Sequence, residues 1–424
     1  MGTERVQTWL KEINSIGASD NGVNRLAYTK EESKAIALFS SWCEKEGMTV
    51  SEDSAGNVIA RRNGTEDLAS VAIGSHLDTV YSGGCFDGTI GVLAGLEIVS
   101  RLNERKIQTK HPVDIIVFRS EESSRFGVST IGSKWMAGEG SSSMGSLTDR
   151  DGIRLEDAVK EAGLSFSRFP KAEKKVQDFK AFLEMHIEQG PALEDENRSI
   201  AIACSIAAPL RVRATITGKA SHSGTTSMDT RKDALTGASE LILALEKAAR
   251  KEKEHGTVAT AGSIKTHPGA MNVVPGECVI DIDIRSSDVR SRKKVLRSIQ
   301  HKAKKIEQTR KLFVRFESLS EEDPVPLSDV IKKKFEAACR ELDISPLKIV
   351  SGAGHDVMNM AKKWPSGLIF VPSVNGLSHH PDEYTRKADI TLGVDVLEHT
   401  VLSLAEGTLS PGQKGGVNYE AAPS

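Results

Sequence analysis

The order of strand-like and helix-like segments changes in the middle of the chain, and this change most constrains the fold. Both ends of the chain alternate helical periodicity with short apolar runs such as 71–74 and 113–118. That alternation favours an α/β sheet with helices on both faces. Residues 210–324 instead follow the order β-α-β-β-α-β, which is typical of a ferredoxin-like layer. We therefore predict a discontinuous α/β domain at 1–209 and 325–424, interrupted by an inserted α+β domain.

Composition excludes several classes of function. The 424 residues are 38% hydrophobic and 27% charged, an ordinary balance for a globular protein. The formal net charge of −2 and the 5% of aromatic residues argue against nucleic acid or a membrane surface as a partner. No apolar stretch approaches the roughly 18 residues needed to span a bilayer.

The termini and the cysteines predict where the protein resides. Residues 1–13 carry charges where a signal peptide has an apolar core. The 5 cysteines are scattered, without a CxxC pair, which indicates thiols in a reducing compartment. We expect a cytoplasmic protein, with a disordered tail at 410–424.

Polar residues follow the first apolar run at the point where its strand should end. His76 lies two residues after the run 71–74, Asp78 follows it, and a glycine-rich turn carries Asp87. Neutral imidazole and carboxylate together suit zinc and similar divalent ions. The alternative is a polar strand end that caps the following helix.

Three later segments repeat this combination of residue types. The adjacent pair Glu121 and Glu122 ends an apolar strand, where two carboxylates are costly unless something neutralises them. His186 ends another strand, and one of His379 and His380 lies in a later loop; spacing alone does not decide which. Each has a plain alternative, namely a solvated loop or a buried histidine. Together they predict a metal centre at the carboxyl ends of one sheet.

Nine segments between about residues 70 and 390 carry a resemblance to a known family, in the family's order. They are GSHLDTV, GGCFDG, RSEESSRFG, EMHIEQGP, GKASHSGTTSMDTRKDA, MNVVPGE, DIDIRSS, SGAGHD and GLSHHPDEYT. The chain resembles the dinuclear-metal amidohydrolase and peptidase superfamily that includes aminoacylases and carboxypeptidases. More narrowly, it resembles N-carbamoyl-L-amino-acid hydrolases, β-ureidopropionases and allantoate amidohydrolases. This implies a mixed-sheet catalytic domain of zinc-peptidase type and an inserted ferredoxin-like dimerisation (lid) domain.

The resemblance also implies two divalent metal ions per subunit, zinc or alternatively manganese, cobalt or nickel. One ion would be held by His76, Asp87 and His186, and the other by Asp87, Glu122 and His379, so that Asp87 bridges them. The family's Ser-His-x-Pro pattern selects His379 from its adjacent pair. A histidine at position 186, where the peptidase branch carries a carboxylate, points to the carbamoylase branch.

The resemblance assigns the remaining roles as follows. Glu121 would be the general base, and Asp78 would support His76. The reaction implied is hydrolysis of the carbamoyl C–N bond of N-carbamoyl-L-amino acids to amino acid, carbon dioxide and ammonia. The alternatives are an allantoate amidohydrolase, an aminoacylase or dipeptidase, and a non-catalytic metal-binding protein on the same scaffold.

Five residues would contact the substrate, a small ureido carboxylate. They are Gln189, His222, Asn272, Arg285 and Gly354. Arg285 and Asn272 would bind the carboxylate, the arginine as a two-pronged clamp. His222 would reach across a homodimer interface into the partner's site. The main chain around Gly354 and His355 would complete the pocket. The plain alternatives are a turn histidine at 222, an edge-strand charge at 285 and a purely structural role for His355.

Overall fold

The computed structural model describes residues 2–406, with side chains from residue 4 onward. The predicted tail at 410–424 lies outside the described residues. The chain divides into two compact units. The first comprises residues up to 204, 327–349 and those from 354 onward, and the second comprises 205–326 and 350–353. The segment predicted as an insertion, 210–324, lies within the second unit.

The first unit combines a mixed sheet with helices, as predicted. Its helices are Gly2–Asn14, Lys30–Lys45, Thr89–Glu104, Ile131–Ala137, Leu155–Glu161, Ala192–Asp195, Asp329–Glu341, Val357–Met360 and Lys387–Ala405. Its strands are Ala18–Ser19, Gly22–Val23, Thr49–Glu52, Val58–Arg62, Ser70–His76, Val113–Phe118, Phe179–Ile187 and Ser366–Val371, while Ala201–Ile206 and Leu347–Ser351 each cross into the second unit. Among the described residues, no helix is both long and apolar enough to cross a membrane.

Parallel strands form the centre of this sheet. Their order is Val113–Phe118, Ser70–His76, Phe179–Ile187 and Ser366–Val371. Antiparallel strands flank them on both sides. Almost every residue of the four parallel strands is buried, as expected where helices cover both faces. Because parallel strands end at the same edge, the segments that follow them are brought together there.

The segment 137–178 contributes to a second, smaller apolar core. This core also contains buried residues of earlier segments, among them Tyr28 and Ile131. Phe169 is fully buried and lies 4.8 Å from Phe166 and 5.9 Å from Trp135, measured between ring centroids. The apolar residues of this segment lie in short helical turns, so they show no regular period in the sequence.

The second unit is a four-stranded antiparallel sheet with two helices. The sheet order is Val258–His267, Glu277–Ser286, Ala208–Thr217 and Phe313–Glu321. The helices are Ala234–Lys251 and Val289–Arg310, and the short strands are Ser221–His222, Val273–Val274 and Val325–Pro326. The element order β-α-β-β-α-β is the one predicted.

The unit's beginning and end are adjacent. Val325 pairs with Ile206 and Pro326 with Ser205 in antiparallel register. The second unit therefore starts and finishes at two paired strand segments.

Candidate metal centre

Asp87 lies at the centre of a group of histidines at the carboxyl edge of the parallel strands. Its Oδ1 atom is 3.4 Å from His76 Nε2 and 3.1 Å from His186 Nε2. Its Oδ2 atom is 3.5 Å from His379 Nε2. All of these side chains are buried except that of His379, which is 48% exposed. The glycine-rich turn after the strand Ser70–His76 thus brings one carboxylate between three imidazoles.

The acidic pair completes the arrangement. Glu122 Oε1 is 3.2 Å from His379 Nε2, and Glu121 Oε2 is 3.9 Å from His76 Nε2. Ligand atoms lie within 4.8 Å of one another in the groups His76–Asp87–His186, His76–Glu121–Glu122 and Asp87–Glu122–His379. All of the residues predicted as ligands are therefore brought together, whereas His380 is exposed and faces Asp382.

The buried histidines are oriented for ligation. His76 Nδ1 contacts the main-chain oxygen of Asp78 at 2.9 Å, and His186 Nδ1 contacts that of Ile187 at 2.9 Å. A carbonyl oxygen only accepts, so each Nδ1 carries a proton, and Nε2, which faces Asp87, is the nitrogen that a neutral ring offers to a cation. This is the tautomer that a divalent cation requires, and the residues present fit such an ion.

Burial and neighbouring histidines shift the pKa values of the carboxyl groups. Burial raises the pKa of Glu121 well above its ordinary value and raises that of Glu122. Burial would also raise the pKa of Asp87, but the charge and hydrogen bond of His186, with help from His379 and His76, hold it well below its ordinary value. Acidic groups packed this closely are stabilised by positive charge, which divalent cations supply.

Asp78 positions the acidic pair through the main chain. Its Oδ1 atom accepts the N–H of Glu121 at 3.1 Å, and its Oδ2 atom accepts that of Glu122 at 2.9 Å. Its carboxylate is 3.5 Å from His76 Nδ1, so the contact to that ring runs through the main-chain oxygen. Ser120, directly before the pair, has a φ of +56°, a strained conformation that these hydrogen bonds help to hold.

Glu383 is a buried residue of this centre that the sequence analysis missed. Its Oε1 atom accepts the N–H groups of Phe86 and Asp87 at 2.8 and 2.9 Å. A Cβ atom on Gly84 would lie 2.3 Å from its carboxyl group, which explains one glycine of the turn. An acid within the GLSHHPDEYT segment was the available signal, but its partner lies almost 300 residues earlier.

Two further residues lie at the same edge. His355 is buried, and its ring centroid is 4.4 Å from that of His186; burial and the charge of His186 hold its pKa well below the ordinary value. Gln189 donates from Nε2 to Asp87 Oδ2 at 2.6 Å. Gly354 directly precedes His355. The structure thus brings His355 next to His186, a predicted ligand. The sequence had not decided whether His355 has a role at the site.

The predicted substrate residues of the second unit do not form one cluster. His222 pairs with Val273, next to Asn272, so these two residues are neighbours. This pair adjoins the start of the strand Glu277–Ser286, whereas Arg285 lies near its end. The strand has 10 residues, which correspond to about 30 Å. Arg285 is therefore separated from His222 and Asn272 by most of the sheet's length.

Gly88 is expected to tolerate no side chain. Its φ is +63°, and a Cβ atom there would lie 2.4 Å from the His76 ring. We expect Gly88→Ala to lower the free energy of unfolding by about 2–4 kcal/mol, because strain and overpacking add. Urea denaturation checks this, with Gly127→Ala as the control: its φ of +74° is similar, but a Cβ atom would meet nothing within 4 Å. Equal losses would contradict the contact with His76.

Comparisons with known proteins identify the family of the chain. The model of peptidase family M20/M25/M40 matches residues 72–403. An N-carbamoyl-L-amino acid amidohydrolase from Geobacillus stearothermophilus is 40% identical over 406 residues, covering 95% of this chain and 99% of that protein. An allantoate deiminase from Arabidopsis thaliana is 31% identical over 423 residues, covering 92% of this chain and 80% of that protein.

Solved structures agree as well. The crystal structure of an amidase of the hydantoinase/carbamoylase family from Burkholderia multivorans matches with a TM-score of 0.88 at 32% identity. The match covers 95% of this chain and 98% of that one. The resemblance found in the sequence is confirmed, and the chain belongs to peptidase family M20/M25/M40.

Proposed function

We propose that the protein hydrolyses the carbamoyl C–N bond of N-carbamoyl-L-amino acids, giving amino acid, carbon dioxide and ammonia. The observation that carries the proposal is one carboxylate, Asp87, shared by two groups of ligand atoms with Glu121 beside them. The similarity to the Geobacillus stearothermophilus amidohydrolase over nearly the whole chain supports the choice of substrate. The five free cysteines of the described chain fit residence in the cytoplasm.

Two divalent cations per subunit are part of this proposal. His76, Asp87 and His186 would hold one, and Asp87, Glu122 and His379 the other. Such ions lower the pKa of a bound water and polarise a carbonyl group. Imidazole and carboxylate ligands suit zinc, manganese, cobalt or nickel.

Glu121 is the general base in this mechanism. Its carboxylate lies beside His76, and its main chain is held by Asp78. It accepts the proton of the attacking water and transfers it to the departing nitrogen of the amino acid, and the carbamate that remains breaks down to carbon dioxide and ammonia. The hydrogen bonds to Asp78 keep the turn, and with it the carboxylate, oriented while the proton moves.

The second unit supplies the recognition of the substrate. Arg285 and Asn272 bind its carboxylate, His222 stabilises the oxyanion, and Gln189 and the main chain at Gly354 complete the pocket. Within one chain, His222 and Asn272 lie at the end of the sheet remote from Arg285. This separation supports a homodimer in which His222 and its neighbour serve the partner's site.

A substrate panel tests the function. We expect ammonia release from N-carbamoyl-L-amino acids, measured after loading the protein in turn with zinc, manganese, cobalt and nickel. Allantoate and N-acetyl-L-amino acids are the comparison substrates. Turnover of N-acetyl compounds alone would contradict the proposal.

An allantoate amidohydrolase is the second candidate, because the chain is also similar to the Arabidopsis thaliana allantoate deiminase. Faster turnover of allantoate than of every N-carbamoyl compound would select it. Absence of bound metal and of activity after metal loading would instead select a non-catalytic protein on the same scaffold.

A further inference from the structure

Gln189 occupies a central position in the metal centre. It follows the strand Phe179–Ile187 and has a φ of +59°, a conformation that few residues other than glycine adopt. This conformation directs its side chain to the carboxylate of Asp87, where Nε2 donates to Oδ2 at 2.6 Å. The same Nε2 atom is 3.2 Å from Ser378 Oγ.

The two oxygens of Asp87 have different surroundings. Oδ1 faces the nitrogens of His76 and His186. Oδ2 faces His379 and accepts hydrogen bonds from both Gln189 and Ser378, the latter at 2.7 Å. The oxygen available to a cation at Asp87, Glu122 and His379 is therefore the one that already accepts two donors. A cation that uses this oxygen competes with those donors for its lone pairs.

Whereas Asp87 Oδ2 accepts two hydrogen bonds, the amide oxygen of Gln189 accepts none from the described residues. Among the described residues, the buried Oε1 atom has no hydrogen-bond partner. The amide cannot simply be flipped, because its oxygen would then face the carboxylate of Asp87. A buried acceptor without a partner costs free energy, so this atom is suited to receive an N–H from a ligand. A ureido group offers a terminal NH₂ where an N-acetyl group has only a methyl.

We propose that Gln189 couples cation binding at Asp87, Glu122 and His379 to binding of a ureido substrate. Entry of the cation displaces the amide from Asp87 Oδ2. The released amide then accepts an N–H of the substrate through Oε1, so this cation binds before the substrate. The second half of the proposal rests on the proposed function, whereas the displacement does not.

Calorimetric titration of Mn²⁺ into chelator-treated, full-length protein tests the displacement. In Gln189→Asn, the shorter amide no longer reaches Asp87, and asparagine tolerates a positive φ. We expect one equivalent of Mn²⁺ to bind about tenfold more tightly than in the wild type, since a hydrogen bond to a charged group no longer has to be broken. The other equivalent should be unchanged. Gln108→Ala, at an exposed glutamine, is the control, and unfolding curves verify that each variant folds.

Steady-state kinetics at saturating Mn²⁺ test the substrate half. Gln189→Asn should raise KM for N-carbamoyl-L-amino acids about tenfold, with a smaller effect on kcat. Unchanged or weaker Mn²⁺ binding overturns the displacement, and tighter Mn²⁺ binding with an unchanged KM overturns the coupling. A third outcome is tighter Mn²⁺ binding to the variant when the wild type hydrolyses no ureido compound. This result would support the displacement and refute the proposed function.

Discussion

Glu121→Gln is expected to lower kcat by a factor between about a hundred and ten thousand while leaving the bound metal in place. Glutamine has nearly the same shape, and its main-chain N–H can still donate to Asp78. The turn is therefore retained, but the amide cannot take a proton from water. The measurement is kcat for an N-carbamoyl-L-amino acid together with the metal content of the purified variant.

The neighbouring residue provides the matched control. Glu122→Gln sits in the same turn, yet its carboxylate faces His379 at 3.2 Å. We expect this variant to lose affinity for one of the two cations, with activity restored in part by excess metal. A fully active Glu121→Gln enzyme would remove Glu121 from the role of base.

Asp87→Asn is expected to abolish tight binding at both cation positions. Oδ1 and Oδ2 of Asp87 face different histidines, so a single amide nitrogen necessarily replaces an oxygen needed by one of the two groups. The loss of the negative charge weakens both. We expect less than one tightly bound cation per chain, measured by elemental analysis after gel filtration, and activity at the background level.

Asp382→Asn is the control for this change. Asp382 is exposed in the same loop as His379, so its substitution alters the nearby charge equally without touching the centre. Its metal content and kcat should match those of the wild type. Two cations bound tightly to Asp87→Asn would show that Asp87 is not shared between them.

Features that depend on local sequence were predictable. An apolar run followed by His76, or by Glu121, indicates a strand end, and parallel strands bring such ends together. The β-α-β-β-α-β order at 210–324 was equally predictable. Apolar residues recur with a period of two in half-buried strands and of 3.6 in amphipathic helices, so the two kinds of element can be told apart. In both cases the information lies within single helices or strands.

Contacts between side chains and the main chain of distant segments were not predictable. Glu383 contacts the main chain of Phe86 and Asp87, and no local pattern connects these positions. The same holds for Asp78, whose carboxylate holds the acidic pair 43 and 44 residues later. A single sequence shows which side chains are available but not which main-chain groups they reach.

The paired ends of the second unit have an evolutionary consequence. Because Ser205 and Ile206 lie antiparallel to Val325 and Pro326, the chain leaves and re-enters through what is formally the stem of a hairpin. Residues 207–324 therefore correspond to a very long hairpin loop. Lengthening a loop adds little entropic cost. Such a module can be gained, lost or exchanged between lineages without shifting the register of any strand that carries a ligand. Under the proposed function, substrate recognition can then diversify in one module while the residues of the metal centre stay in place.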